Sequence, residues 1–144
     1  MANPNWTWSK RIDLPSDPRL VTPLIEELLK QLRKLGYSDR DIFGVHLSVE
    51  EALVNAIRHG NHGDPGKTVR VFFGVTPEQA RIEIEDQGPG FVPADVPDCT
   101  DDAYIDRPCG RGLLLMKNFM NDVAFNDCGN AVMMVKRRTS SETR

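Results

Sequence analysis

The stretch SDRDIFGVHLSVEEALVNAIRHG, residues 38–60, restricts the fold more than any other part of the chain. Ile42, Val45, Val49, Ala52, Leu53 and Ala56 recur at helical spacing and form one apolar stripe, and Leu47 and Val54 add a second patch. The pattern predicts a long helix covered on more than one side, beginning at Ser38 and ending near Gly60. Ser38 is placed to cap it, with Asp41 reaching back from three residues on as in a capping box. Between the apolar surfaces Ser48, Glu51 and Asn55 stand three and four residues apart, in one row. The ordinary fate of a Glu and an Asn on a helix is to face solvent. On a helix covered this way, a carboxylate beside an amide is instead a candidate site.

The exit from this helix, RHGNHGDPGKTV (58–69), has the look of a phosphate-binding loop, but the spacing misses by one, because Asn61 stands where the first glycine belongs. The order is also reversed. A phosphate loop runs from strand to helix so that helix amides face the anion, whereas here a helix leads into KTVRVFFGV, a strand pattern. The cluster reads as a turn.

The remaining elements follow from periodicity and punctuation. WTWSKRIDL reads as an opening strand ending at Pro15. Ser16-Asp17-Pro18 opens a first helix that runs to a stop at Gly36, with Pro23 either kinking it or delaying its start. Strands at about 67–75 and 80–86 make a half-buried hairpin, with Ile82 and Ile84 on one face and Arg81, Glu83 and Glu85 on the other. The Pro/Asp-rich stretch from Gly88 to Pro108 is long for a structureless loop and suggests a lid. GRGLLLMKNFMNDV reads as a short helix. VAFND and AVMMVKR read as a closing hairpin turning at Cys128-Gly129-Asn130, and the polar residues from Arg138 onward as a frayed tail. This order predicts one α+β domain with a core over about 8–137. Its architecture would be a two-layer sandwich, a mixed, mainly antiparallel sheet with helices on one face.

Composition narrows the function classes. The 144 residues carry a net charge of −3, which gives no sign of the basic face of a nucleic-acid binder. No apolar stretch is long enough to span a bilayer, and the start of the chain lacks the apolar run of a signal peptide, so a cytoplasmic protein is expected. Cys99, Cys109 and Cys128 are an odd set without a Cys-x-x-Cys pair, which points to neither a disulfide framework nor a zinc site.

Two short motifs join the Glu/Asn pair. In DQGPGF, Asp86 follows a strand, and Gly88 and Gly90 allow the backbone to approach a ligand closely. In GRGLLL, Gly110, Arg111 and Gly112 open a helix whose free amides suit phosphate. Each alone is as compatible with a turn as with a site. Taken in order, EALVNAIRHGN, DQGPGF and GRGLLLMKNFMNDV resemble the nucleotide-binding elements of the GHKL superfamily, the Bergerat fold of gyrase, heat-shock chaperone and histidine-kinase ATP domains. Within it, the HGN after the Asn helix and the GLLLMKNFMNDV helix look most like the anti-sigma-factor serine/threonine kinases.

That resemblance implies ATP and Mg²⁺ as cofactors. Asn55 would ligate Mg²⁺, Glu51 would be the catalytic base, and Asp86 would accept a hydrogen bond from the adenine amino group, with Gly88 and Gly90 making room for the base. Gly110, Arg111 and Gly112 would wrap the phosphates. It further implies a kinase acting on a STAS-class antagonist and regulating a sigma factor, with homodimerisation as a common family trait. The alternative is an ATP-dependent binding module that switches partners without transferring phosphate. Members of this fold often carry a Thr near the start of the last strand, where this chain has Gly129-Asn130-Ala131. Either Asn130 substitutes for it or nucleotide affinity is reduced.

Overall fold

The computed structural model describes residues 5–88, 116–126 and 130–139. Among them the order is β1 (Trp8–Pro15), a 3-10 turn at Pro18–Leu20, α1 (Val21–Lys34), α2 (Asp39–Asn55), a π-helical turn at Ala56–Gly60, β2 (Thr68–Val75), β3 (Gln79–Glu85), β4 (Asp122–Phe125) and β5 (Ala131–Arg137). Residues 116–119 are also helical.

The strands form one sheet in the order β1-β2-β3-β5-β4, and all four pairings are antiparallel. The sheet expected to be mainly antiparallel is therefore wholly so over its described pairings. Alternation sorts its side chains. Leu14, Val69, Val71, Phe73, Ala80, Ile82, Ile84 and Met134 point to one face and are buried there. The helices cover this face with Leu24, Ile25, Leu28, Leu29 and Leu32 from α1 and Val45, Val49, Ala52 and Leu53 from α2. The other face carries the alternate residues of the same strands. There Arg11, Arg70, Phe72, Arg81, Glu83, Glu85 and Met133 line a groove of about 280 Å³, on the side of the sheet opposite α2.

Both helix starts show what the sequence rules deliver and where they stop. Asp17 caps the first with its carboxylate on the Arg19 amide, and Pro18 opens a 3-10 turn. The α-helix proper begins only at Val21, so Pro23 falls in its first turn, where its missing N–H costs nothing. Pro23 thus delays the helix rather than kinking it. At α2, Ser38 Oγ accepts from the Asp41 amide at 3.0 Å, as expected.

The reciprocal half of the capping box does not form. Asp41, only 1% exposed, takes Thr139 instead, accepting from its amide at 2.8 Å and its hydroxyl at 2.6 Å, with Lys136 Nζ 3.7 Å away. Aspartate is one methylene shorter than the Glu or Gln that closes such a box, and three donors from the other end of the chain compete for it. Arg138 also donates, to the carbonyls of Glu78 and Pro77. The fraying expected from residue 138 therefore does not apply to Arg138 and Thr139.

Candidate functional site

The site is organised by the C-terminal end of α2. Along that helix the predicted stripe is buried as expected, with Val45, Val49 and Leu53 at 0% exposure. Glu51 and Asn55 lie half-buried one turn apart, and Asn55 Nδ2 donates to Glu51 Oε2 at 3.1 Å. The row predicted on this helix is split. Ser48 is fully buried, and its Oγ has no hydrogen-bond partner among the described residues, so only Glu51 and Asn55 reach the half-exposed margin.

Immediately after Asn55 the helix widens into the π turn Ala56–Gly60, closed by the Asn61 amide donating to the Ala56 carbonyl at 2.9 Å. Such one-turn widenings recur at functional sites. This one seats Asp86 against the helix end. A Cβ added at Gly60 would stand 2.2 Å from Asp86 Cγ, and one at Gly88 would stand 1.8 Å from the Gly60 carbonyl oxygen. Neither position accepts any side chain while the loop stays where it is. The two glycines let the turn after β3 lie directly on the end of α2.

Three further contacts fix that turn. Asn61, 0% exposed, accepts from the Gln87 amide at 2.7 Å and donates through Nδ2 to Thr68 O at 2.9 Å and Ser16 Oγ at 3.0 Å. The β2–β3 ladder stops at Arg70 opposite Glu85, and beyond it the Thr68 amide and carbonyl are taken by the side chains of Gln87 and Asn61. Asn130 holds the Asp86 backbone on both sides, its carbonyl accepting from the Asp86 amide at 2.9 Å and its Nδ2 donating to the Asp86 carbonyl at 3.1 Å. Its Oδ1 accepts from Asn126 Nδ2 at 2.7 Å. The residue at the position where a Thr was sought thus braces the Asp86 backbone.

The Asp86 carboxylate itself accepts from the Gly88 amide through Oδ1 at 2.8 Å. Burial raises its pKa above the ordinary Asp value and outweighs the lowering pull of that amide. Glu85 adds to the rise, while Lys67 and His62 oppose it. A half-desolvated carboxylate in a glycine-walled seat makes a strong acceptor for a ligand N–H.

These residues fit a nucleotide and a hard cation. Among the described residues Asn55 spends only its nitrogen on hydrogen bonding, which leaves its amide oxygen available, and an oxygen donor of this kind suits Mg²⁺, which relies on phosphates and water for its other ligands. Gly60 and Gly88 let the Asp86 carboxylate lie directly against the end of the helix that carries Glu51 and Asn55. Of the residues expected from sequence, Glu51 and Asn55 are in contact, and Asp86 and Gly88 lie on Gly60 at the end of the same helix. Gly90, Gly110, Arg111 and Gly112 lie outside the described residues, as does the loop through Pro108. Gly60, Asn61 and Gln87 were not anticipated. The signal for Gly60 and Asn61 was the HGN following the helix, and Gln87 stands inside DQGPGF, both compositions shared by ordinary turns.

Comparison with known proteins agrees with this fold. A family model described as "Histidine kinase-like ATPase domain" matches residues 14–136. The chain belongs to the histidine kinase-like ATPase domain family. Its relatives include the serine-protein kinase RsbW of Bacillus licheniformis, 33% identical over 131 residues, 85% of this chain and 81% of that protein. RsbW of Bacillus subtilis (strain 168) is 28% identical over 130 residues, again 85% and 81% of the two chains. The anti-sigma F factor of Oceanobacillus iheyensis is 29% identical over 102 residues, 66% of this chain and 68% of that one. A crystal structure of the RsbU and RsbW domains of a Mycobacterium tuberculosis protein shares the fold. Its TM-score is 0.58 at 15% identity, over 92% of this chain, which spans 32% of that longer one. No helix among the described residues is long and apolar enough to cross a membrane.

Proposed function

We propose that the protein binds ATP with Mg²⁺ and transfers the terminal phosphoryl group to a serine or threonine hydroxyl of a STAS-class antagonist protein, thereby regulating a sigma factor. The observation that carries the reading is the Glu51–Asn55 pair one turn from the glycine seat of Asp86, on a chain whose relatives are named serine-protein kinase RsbW. Asp86 receives the adenine amino group, while Gly88 and Gly60 let its carboxylate lie on the end of α2. Gly90 belongs to the same subsite, and Gly110, Arg111 and Gly112 are assigned to the phosphates by their motif. Asn55 holds the cation through its amide oxygen. The cation, when bound, neutralises phosphate charge, and phosphoryl transfer needs little beyond that and positioning.

Glu51 supplies the proton acceptor. One carboxylate oxygen is held by Asn55, and the other has no partner among the described residues, which leaves it to the attacking hydroxyl. The new bond joins the hydroxyl oxygen to the terminal phosphorus, the bond to the bridging oxygen breaks, ADP leaves, and the hydroxyl proton ends on Glu51. The reading places the protein in the cytoplasm, with a sigma factor and a STAS antagonist as partners and a homodimer as the assembly.

Incubation with ATP, Mg²⁺ and candidate STAS-domain proteins tests it, with intact-mass and peptide mapping of the partner. One added phosphate on a serine or threonine is expected, abolished by Glu51→Gln. A stable nucleotide-dependent complex whose partner never gains mass would replace the kinase with a binding switch.

A further inference from the structure

Resting on the nucleotide-site reading above, we propose that Glu51 also acts as a positioning residue, fixing the Asn55 amide so that its oxygen, and not its nitrogen, is presented to the cation.

An ionised carboxylate can only accept hydrogen bonds. The amide group of Asn55 that lies 3.1 Å from Glu51 Oε2 must therefore be its NH₂. With the nitrogen committed, the oxygen on the same planar amide is turned away from Glu51. No other hydrogen bond among the described residues fixes it. Asn55 has helical backbone angles and makes no capping bond with its side chain, and the Glu51 bond is the one hydrogen bond its side chain forms among the described residues. An Asn at the end of a helix otherwise tends to turn its side chain onto nearby backbone.

The four-residue spacing places the two side chains in contact on the helix surface, and the π turn begins only after Asn55, so the pair sits on the last regular turn of α2. Without Glu51 the amide can rotate, and its nitrogen and oxygen are nearly interchangeable in shape. Every rotamer that shows nitrogen to the cation subtracts from the competent population. The carboxylate thus divides its two oxygens. Oε2 orients the metal ligand, and Oε1 is left for the substrate hydroxyl.

Calorimetric titration of ADP and of a non-hydrolysable ATP analogue, with Mg²⁺ and with EDTA, separates this role from catalysis. The quantity read is the gain in affinity that Mg²⁺ confers. Glu51→Ala and Glu51→Gln both remove the negative charge, so the difference between them reports the hydrogen bond alone. Glu51→Ala should reduce the magnesium-dependent gain about tenfold, the usual scale for losing a residue that orients a metal ligand, while Glu51→Gln, whose amide oxygen can still accept from Asn55, should stay within about twofold of the unsubstituted protein. Affinity in EDTA should be the same for all three. Equal gains in the alanine and glutamine variants would overturn the positioning role and leave the nucleotide site standing. No magnesium dependence in the unsubstituted protein would remove the cation site at Asn55 and this inference with it.

Discussion

Replacing Asn61 with alanine tests whether the end of α2 sets the shape of the nucleotide seat. The side chain is fully buried and makes three hydrogen bonds, to the Gln87 amide, the Thr68 carbonyl and the Ser16 hydroxyl. Ser16 keeps a partner in the variant, because its hydroxyl also donates to the Lys67 carbonyl at 2.8 Å. The Gln87 amide and Thr68 carbonyl do not, since the β2–β3 ladder has ended before either of them. A group left unpaired and cut off from water costs about 1–3 kcal/mol, and because both of these bonds are only partly buried water entry offsets part of that, so Asn61→Ala should lose about 2–4 kcal/mol. Equilibrium urea unfolding reads this as a lower midpoint at unchanged slope. Because Gln87 follows Asp86 directly, nucleotide affinity should fall in the same variant under conditions where it is still fully folded. A loss below about 0.5 kcal/mol, the range of an ordinary surface substitution, would refute the reasoning.

Other substitutions probe neighbouring parts of the argument. Gly60→Ala should leave the far-UV circular dichroism unchanged while weakening nucleotide binding by more than about tenfold, since its Cβ would occupy the place of the Asp86 carboxylate; retained affinity would mean the loop can shift without cost. Asp86→Asn should lose nucleotide binding with and without Mg²⁺, whereas Asn55→Ala should lose chiefly the magnesium-dependent part, and calorimetry distinguishes the two. Asp41→Asn should cost about 1–3 kcal/mol at pH 7, because Thr139 and Lys136 lose a charged acceptor. Burial by itself would raise the Asp41 carboxyl, but the side-chain and backbone bonds from Thr139, the charge of Lys136 and the Ser38 hydroxyl together hold it below its ordinary value. The folded state therefore binds the proton less readily than the unfolded one. The Asp41 contribution is complete above the unfolded carboxyl value of about 3.9 and disappears as pH falls through the folded value, so the gap between the two proteins should close in acid. A gap independent of pH would contradict the ionic part of that contact.

Much of the fold was legible because its signals are local and periodic. The stripe on α2 and the alternation of Ile82 and Ile84 each bury the face they mark. The Glu51–Asn55 contact was legible for the same reason, as a four-residue spacing on a helix has one geometric meaning. What escaped was non-local. Asp41 carries a capping-box signature yet bonds to Thr139, 98 positions away, and no spacing rule encodes that competition. Asn61 reads as a turn residue because Asn favours turns, and only the end of the β2–β3 ladder gives its side chain three partners. Gly60 looks like a helix stop. Its actual constraint is the carboxylate of Asp86 lying across its α-carbon, which no pattern within the helix could announce.

The attachment of Asp41 to Thr139 has a mechanical consequence. Helix α2 is tethered at its first turn to Thr139, two residues beyond β5, and just beyond its last turn Asn61 tethers the chain to β2 and to the turn after β3. Its 17 residues put these two moorings about 25 Å apart. A rod moored at both ends does not screw or slide along its axis without breaking one of them. Movement of Glu51 and Asn55 along the helix axis relative to the sheet thus requires the loss of hydrogen bonds at one mooring or the other.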